Sequence, residues 1–208
     1  MMKLYNSPLS PAGRIPALTA RHLGIEVDTY NVNAAAGEQK SADYLKLNPN
    51  GLFPVLVDGD FVLWEANAIA QYLCSKVPGT RLWPQQGRAQ ADVTRWQFWT
   101  VAHWLPALGP FLRENYFKKL RGMGDPDAAA LASVLPQLQR FAGVLEGALR
   151  DRTWLVGDNV TLADFSVAAG LMYLEAAQLP LHDFAAIMRW FDGVKALPAW
   201  VETPPTHL

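Results

Sequence analysis

Val55-Leu56-Val57-Asp58-Gly59-Asp60-Phe61-Val62-Leu63 is the stretch on which the fold turns. Two short β-branched and aromatic runs flank Asp-Gly-Asp, the composition of a tight turn, so residues 55–57 and 61–63 are expected to form a hairpin. On its C-terminal side, residues 65–76 carry a helical pattern that Pro78-Gly79 breaks. Upstream, Ser41 is placed to cap a short helix over residues 41–47. At the N-terminus, residues 3–5 form a short apolar strand. Residues 11–23 form a helix with Pro11 in its first turn, and Gly24 ends it. Residues 27–32 form a second strand. Strand, helix and strand within about 30 residues make a βαβ unit. The expected order is β-α-β-α-β-β-α, closing near residue 77.

The composition then shifts. Residues 78–88 (PGTRLWPQQGR) are rich in turn formers and read as a linker. The remainder of the chain is helical in period. Helices are expected over residues 88–119, bent by Pro106 and Pro110, and over 126–150, 162–177 and 184–196. The fold class is α/β followed by all-α, with domains at 1–77 and 89–208. The helix after Thr161-Leu162-Ala163-Asp164, which fits a capping box, is apolar nearly all round and should be the buried centre of the second domain.

Composition excludes several functions. In 208 residues, 18 Lys+Arg nearly cancel 19 Asp+Glu, so a net charge of -1 offers no attraction for nucleic acid or an anionic membrane. Half of the residues are apolar, enough for a real core, yet no apolar run nears the ~18 residues of a membrane span. The first eight residues lack a signal-peptide h-region, and a cytoplasmic protein is expected. A single cysteine, Cys74, excludes an internal disulfide, a CxxC redox pair and a cysteine zinc site. The four histidines, His22, His103, His182 and His207, are scattered, so no metal is expected.

Two patterns carry chemistry. Leu52-Phe53-Pro54-Val55 puts a proline at the start of a strand. A cis bond there would turn the Phe53 backbone outward to pair with a peptide-like ligand. The commoner trans bond would make it an ordinary strand start. Trp64-Glu65-Ala66-Asn67 marks a strand-to-helix junction. The N–H groups of the helix suit a carboxylate and Glu65 suits an ammonium, although Glu65 also simply complements the helix dipole.

Taken with Ser7-Pro8-Leu9-Ser10-Pro11-Ala12-Gly13-Arg14, with residues 47–56, with Leu63 through Ile69 and with Gly157 through Asp164, these motifs make the whole chain resemble the soluble glutathione transferases. The likeness is to bacterial members near the theta, delta and beta types with a serine-type site. It implies a thioredoxin-like first domain, an all-helical second one, glutathione as co-substrate, a homodimer and a detoxifying transferase activity. By that resemblance, Ser10 donates to the glutathione sulfur, with Ser7 as runner-up. Phe53 and Pro54 face its cysteinyl unit, Glu65-Ala66 its γ-glutamyl group, and Gln39 or Lys40 its glycyl carboxylate. The family's Glu-Ser pair is here Glu65-Ala66, which lacks a hydroxyl. Gly51 replaces a histidine, and Gly13 stands where many relatives have Cys. An electrophile pocket is expected between the domains, lined by Trp99, His103, Trp104 and Phe111. The competing expectation is a non-catalytic protein on the same fold that binds glutathione or a hydrophobic ligand.

Overall fold

The computed structural model describes residues 1–205; His207 lies outside the described residues. The chain divides into two compact units: Met1–Gln85 with the stretch from Ala196 onward, and Gln86–Lys195.

In the first unit the order is β1 (Met2–Asn6), α1 (Pro11–Leu23), β2 (Val27–Asn31), a 3₁₀ turn (Glu38–Lys40), α2 (Ala42–Leu47), β3 (Val55–Asp58), β4 (Phe61–Trp64) and α3 (Ala66–Ser75). Local chemistry sets the boundaries. Ser10 caps α1 by accepting from Gly13 N–H at 3.1 Å, and Pro11 follows in the first turn. Gly24 ends the helix in the left-handed region at φ 66°. Ser41 caps α2, accepting from Tyr44 N–H at 3.2 Å.

The sheet runs β2-β1-β3-β4, with β1 and β2 parallel and the other two pairs antiparallel. Leu4, Ala20, Leu56, Ile69 and Leu73 fill the layer under α1 and α3; Val32, Tyr44 and Val55 form a second cluster with Tyr5, Leu47 and Phe53. The C-terminal stretch, which the periodicity assigned to the helical part, packs on this unit. Its α10 (Pro198–Val201) sits against α1. Buried Arg14 donates to the Trp200 carbonyl at 2.9 Å, its guanidinium lies 3.6 Å from the Trp200 ring centroid, and Arg21 pairs with Glu202.

The second unit is helical. The helix expected over 88–119 is present as one continuous helical run over residues 87–120, made of α4 (Gly87–Trp99), a π-helical stretch (Thr100–Trp104), α5 (Leu105–Phe111), a second π-helical stretch (Leu112–Phe117) and α6 (Lys118–Leu120). Pro106 has no N–H for the carbonyl four residues back, and the wider turn just before it accommodates that break. α7 covers Ala128–Leu149 and α9 Ala185–Lys195. The helix expected over 162–177 is shorter: α8 is Leu162–Ala169, wholly buried, and turns come after it. It stops at Gly170, where a Cβ would come within 2.8 Å of Leu108 Cδ1. Asp164, at the N-terminus of α8, accepts from the N–H groups of Leu155 (2.9 Å) and Thr161 (2.8 Å), the Thr161 hydroxyl (3.1 Å) and Trp190 Nε1 (2.9 Å). Burial pushes its carboxyl pKa up, and these donors pull against that.

Candidate functional site

Strand register assembles the site. Tyr5 in β1 pairs with Val55 in β3, and Val55 pairs with Trp64 in β4. The residues just beyond this row therefore leave the sheet at one end: the Ser7–Ser10 turn after β1, Phe53-Pro54 before β3 and Glu65-Ala66 after β4. At ~4.8 Å per strand, β1 and β4 lie about 10 Å apart, a span suited to a small peptide. Tyr30 in β2 pairs with Tyr5 as well, so the segment leading to Gln39 and Lys40 departs from the same end.

Ser10 is half-buried and has extended backbone, φ -91° and ψ 121°. Its Oγ accepts from Gly13 N–H, which leaves the hydroxyl proton to donate elsewhere. The turn is fixed further by Ser10 N–H donating to the Ser7 carbonyl at 3.0 Å. Ser7 is buried, only 6% exposed.

The Phe53-Pro54 bond is cis. The chain before it is anchored by the Leu52 carbonyl, which accepts from Tyr44 Oη at 3.0 Å and Asn48 Nδ2 at 2.7 Å. Burial pushes the Tyr44 phenol pKa up to about 12, so it stays a donor at physiological pH.

Glu65 is exposed and sits at φ 74°, ψ 114°, an unusual conformation for a side chain of its size. It is the pivot of an abrupt turn from β4 into α3, and its side chain makes no cap hydrogen bond to that helix. The sequence carries no signal for that backbone angle. Ala66 is buried.

Gln39 and Lys40 end the 3₁₀ turn. The carbonyl Oε1 of Gln39 is buried with no hydrogen-bond partner, and Lys40 Nζ lies 3.4 Å from the Asn50 carbonyl. Lys40 and Gly51 fit together. Gly51 has φ 61°, and a Cβ on it would lie 2.8 Å from Lys40 Nζ and 2.9 Å from the Gln39 carbonyl. The cavity of about 450 Å³ in this unit is elsewhere, toward the C-terminal end of α1, with Leu4, Ala17, Arg21, Val27 and Thr203 in its lining. None of the candidate site residues lines it.

Known proteins are similar to this chain in sequence and fold. Residues 1–75 match the family model "Glutathione S-transferase, N-terminal domain", and residues 96–198 match "Glutathione S-transferase, C-terminal domain". Glutathione S-transferase 3 of Zea mays is 34% identical over 97% of this chain and 92% of its own length. The chain belongs to the glutathione S-transferase family. Glutathione S-transferase D7 of Drosophila melanogaster is 28% identical over 96% of the chain and 87% of its own length. Among solved structures, a glutathione S-transferase-I bound with lactoylglutathione is 27% identical with a TM-score of 0.88, covering 97% of both chains. An apo glutathione S-transferase III is 34% identical with a TM-score of 0.82, covering 97% of this chain and 94% of its own. The α/β-plus-all-α class and the thioredoxin-like first unit are those of the family.

In this family member the four aromatic residues expected to line an electrophile pocket differ in exposure, while Trp99 touches Trp104 and shares the Phe141 ring with His103. Trp104 is fully buried in the helical unit, donating through Nε1 to the Val167 carbonyl at 3.2 Å, and Phe111 is 5% exposed. Both are packed in the core of that unit. Trp99 is half-buried, stacked on Trp104 at 5.6 Å and edge-on to Trp96 at 5.1 Å. His103 is exposed and stacks on Phe141 at 5.0 Å.

Proposed function

We propose that the protein transfers the thiolate of glutathione to electrophilic, apolar or aromatic small molecules, with the Ser10 hydroxyl holding the sulfur anion. The observation that carries this reading is the Ser10 hydrogen bond with Gly13. The serine oxygen is committed as acceptor at the α1 cap while its proton remains to donate, at the sheet end shared with Phe53, Glu65 and Ala66.

The energetics suffice without a general base. A free thiol has pKa ~8.5, and lowering it by about two units takes ~2.7 kcal/mol. A hydrogen bond to a charged group supplies about 1.5–3 kcal/mol. The N-terminus of α1 adds about 0.3–1 kcal/mol. Ser10 is thus an anion stabiliser, and rate comes from thiolate formation and proximity. In this reading Phe53 pairs its main chain with the cysteinyl unit. Glu65 takes the γ-glutamyl ammonium, and the Ala66 N–H takes the adjacent carboxylate. Gln39, its amide turned to present Nε2, or Lys40 meets the glycyl carboxylate. The exposed Phe61, Val62 and Trp64 of edge strand β4 support a homodimer. A cytoplasmic location is part of this proposal; among the described residues no helix is long and apolar enough to cross a membrane.

Ser10→Ala is expected to raise the pH midpoint of conjugation with an aryl halide by about one to two units. An unchanged profile rejects the role of Ser10. The second reading, a non-catalytic binder, rests on Ala66, which removes a hydroxyl from the γ-glutamyl contacts. It predicts binding without turnover of any aryl or alkyl halide.

A further inference from the structure

The turn that carries Ser10 is closed by a ring of four hydrogen bonds. Asn6 Oδ1 accepts from Ser7 N–H at 2.8 Å, the Ser7 carbonyl from Ser10 N–H at 3.0 Å, and Ser10 Oγ from Gly13 N–H at 3.1 Å. The Gly13 carbonyl then accepts from Asn6 Nδ2 at 3.0 Å. Each amide atom of Asn6 faces a main-chain group of opposite kind, so its orientation is dictated. The side chain is buried, only 5% exposed.

Gly13 belongs to the same device. It lies in the first turn of α1 with ordinary helical backbone, where glycine is a poorer choice than alanine. Space requires it: a Cβ at position 13 would stand 1.9 Å from Asn6 Oδ1, 3.0 Å from Asn6 Cγ and 3.0 Å from the Ser7 carbonyl. Asn6 as it sits therefore excludes every other residue at 13.

We propose that Asn6 is a positioning residue for Ser10, acting with Gly13 as a matched pair that sets the direction of the serine hydroxyl. Asn6 makes no contact with the substrate; it fixes both ends of the segment on which Ser10 rides. The proposal rests on the reading of Ser10 as the thiolate donor. Its consequence is that three different variants, none of them altered at Ser10, shift the ionisation of bound glutathione.

The experiment compares wild type, Ser10→Ala, Asn6→Ala, Gly13→Ala and the Asn6→Ala/Gly13→Ala double variant in the full chain. Two quantities are tracked against pH: thiolate absorbance of bound glutathione and kcat/KM with an aryl halide. Asn6→Ala and Gly13→Ala are each expected to raise the midpoint by about half a unit to one unit, less than Ser10→Ala does. The double variant should shift no further than either single one, because all three open the same ring. A lowered melting temperature with a wild-type midpoint in both single variants makes the pair purely structural and overturns the proposal. If Ser10→Ala itself leaves the midpoint unmoved, the thiolate-donor reading falls first. If only Ser10→Ala moves it, the role of Asn6 alone falls. Should Asn6→Ala fail to fold, Gly13→Ala, which keeps Asn6 and displaces its amide, carries the same test.

Discussion

Ala66→Ser is expected to tighten glutathione binding. Position 66 opens α3 directly after the Glu65 pivot, at the sheet end from which Ser10 and Phe53 also emerge. A carboxylate drawn to the first-turn N–H groups would lie within reach of a hydroxyl on the first helical residue. Ala66 is 8% exposed, so most of its surroundings are protein and the new hydroxyl would be partly desolvated. One added hydrogen bond is worth about 0.5–1.5 kcal/mol, and up to about 3 kcal/mol toward a full charge. Serine in place of alanine in a helix costs a few tenths of a kcal/mol in folding, which leaves the binding difference intact. The dissociation constant should therefore fall by about three- to tenfold. Isothermal titration of both proteins with glutathione reads this directly. Because the γ-glutamyl group is remote from the reacting sulfur, the gain should appear in KM for glutathione, with kcat nearly unchanged. An equal or weaker affinity in Ala66→Ser would show that the glutamyl carboxylate does not lie at the start of α3.

Groups outside the site give three further outcomes. Asp164→Ala strips the acceptor from two main-chain N–H groups and the Trp190 indole, all buried, and should cost at least about 3 kcal/mol in denaturant unfolding; a loss under about 1 kcal/mol would contradict it. Glu114 is paired with Lys118 and Arg113 and accepts from Asp127 N–H; chiefly the Lys118 bond lowers its pKa from 4.5. A depressed folded-state pKa adds stability that is present above pH 4.5 and lost as the pH falls through the lower folded-state value. Glu114→Gln should therefore lower stability at pH 7 and flatten the acid limb of a stability-against-pH curve; an acid limb as steep as wild type would refute this. Cys74 is 3% exposed, and burial pushes its thiol to about 12. It should resist a disulfide reagent at pH 8 in the folded protein and react fully in denaturant; rapid labelling of the folded protein would refute its burial.

The local signals that were legible are those in which one residue type does one job. Gly24 takes the left-handed stop of α1, Ser41 caps α2, and Asp58-Gly59-Asp60 turns the hairpin. The Ser10, Pro54 and Glu65 positions could be read because each adjoins such a boundary, and the register of β1, β3 and β4 brings those boundaries to one end. What could not be read depends on contacts between separate segments. The Asn6 amide needs Gly13 seven residues away, and the Gln39 carbonyl lies close against Gly51. Neither leaves a periodic trace. The left-handed backbone of Glu65 is hidden because glutamate seldom adopts it.

The aromatic run shows where the helical period holds and where it stops: Trp99 and His103, four apart, both lie against the Phe141 ring. Spacings of three and four place Trp96, Trp99 and His103 on one face of an α-helix. Trp96 and Trp99 do touch, edge-on at 5.1 Å. Trp99 and Trp104, five apart, would point about 140° away from each other in an unbroken α-helix. They stack instead, with ring planes 21° apart. The reason lies between them: Leu105 N–H reaches back five residues to the Thr100 carbonyl, and this π-helical turn brings residues five apart toward a common face. Trp104 is thereby turned into the core against Val167, and Trp99 covers it. A helix wheel drawn through Pro106 assumes a hydrogen-bond ladder that proline cannot complete, so the facing of Trp104 follows the widened turn before that break and not the α-helical period.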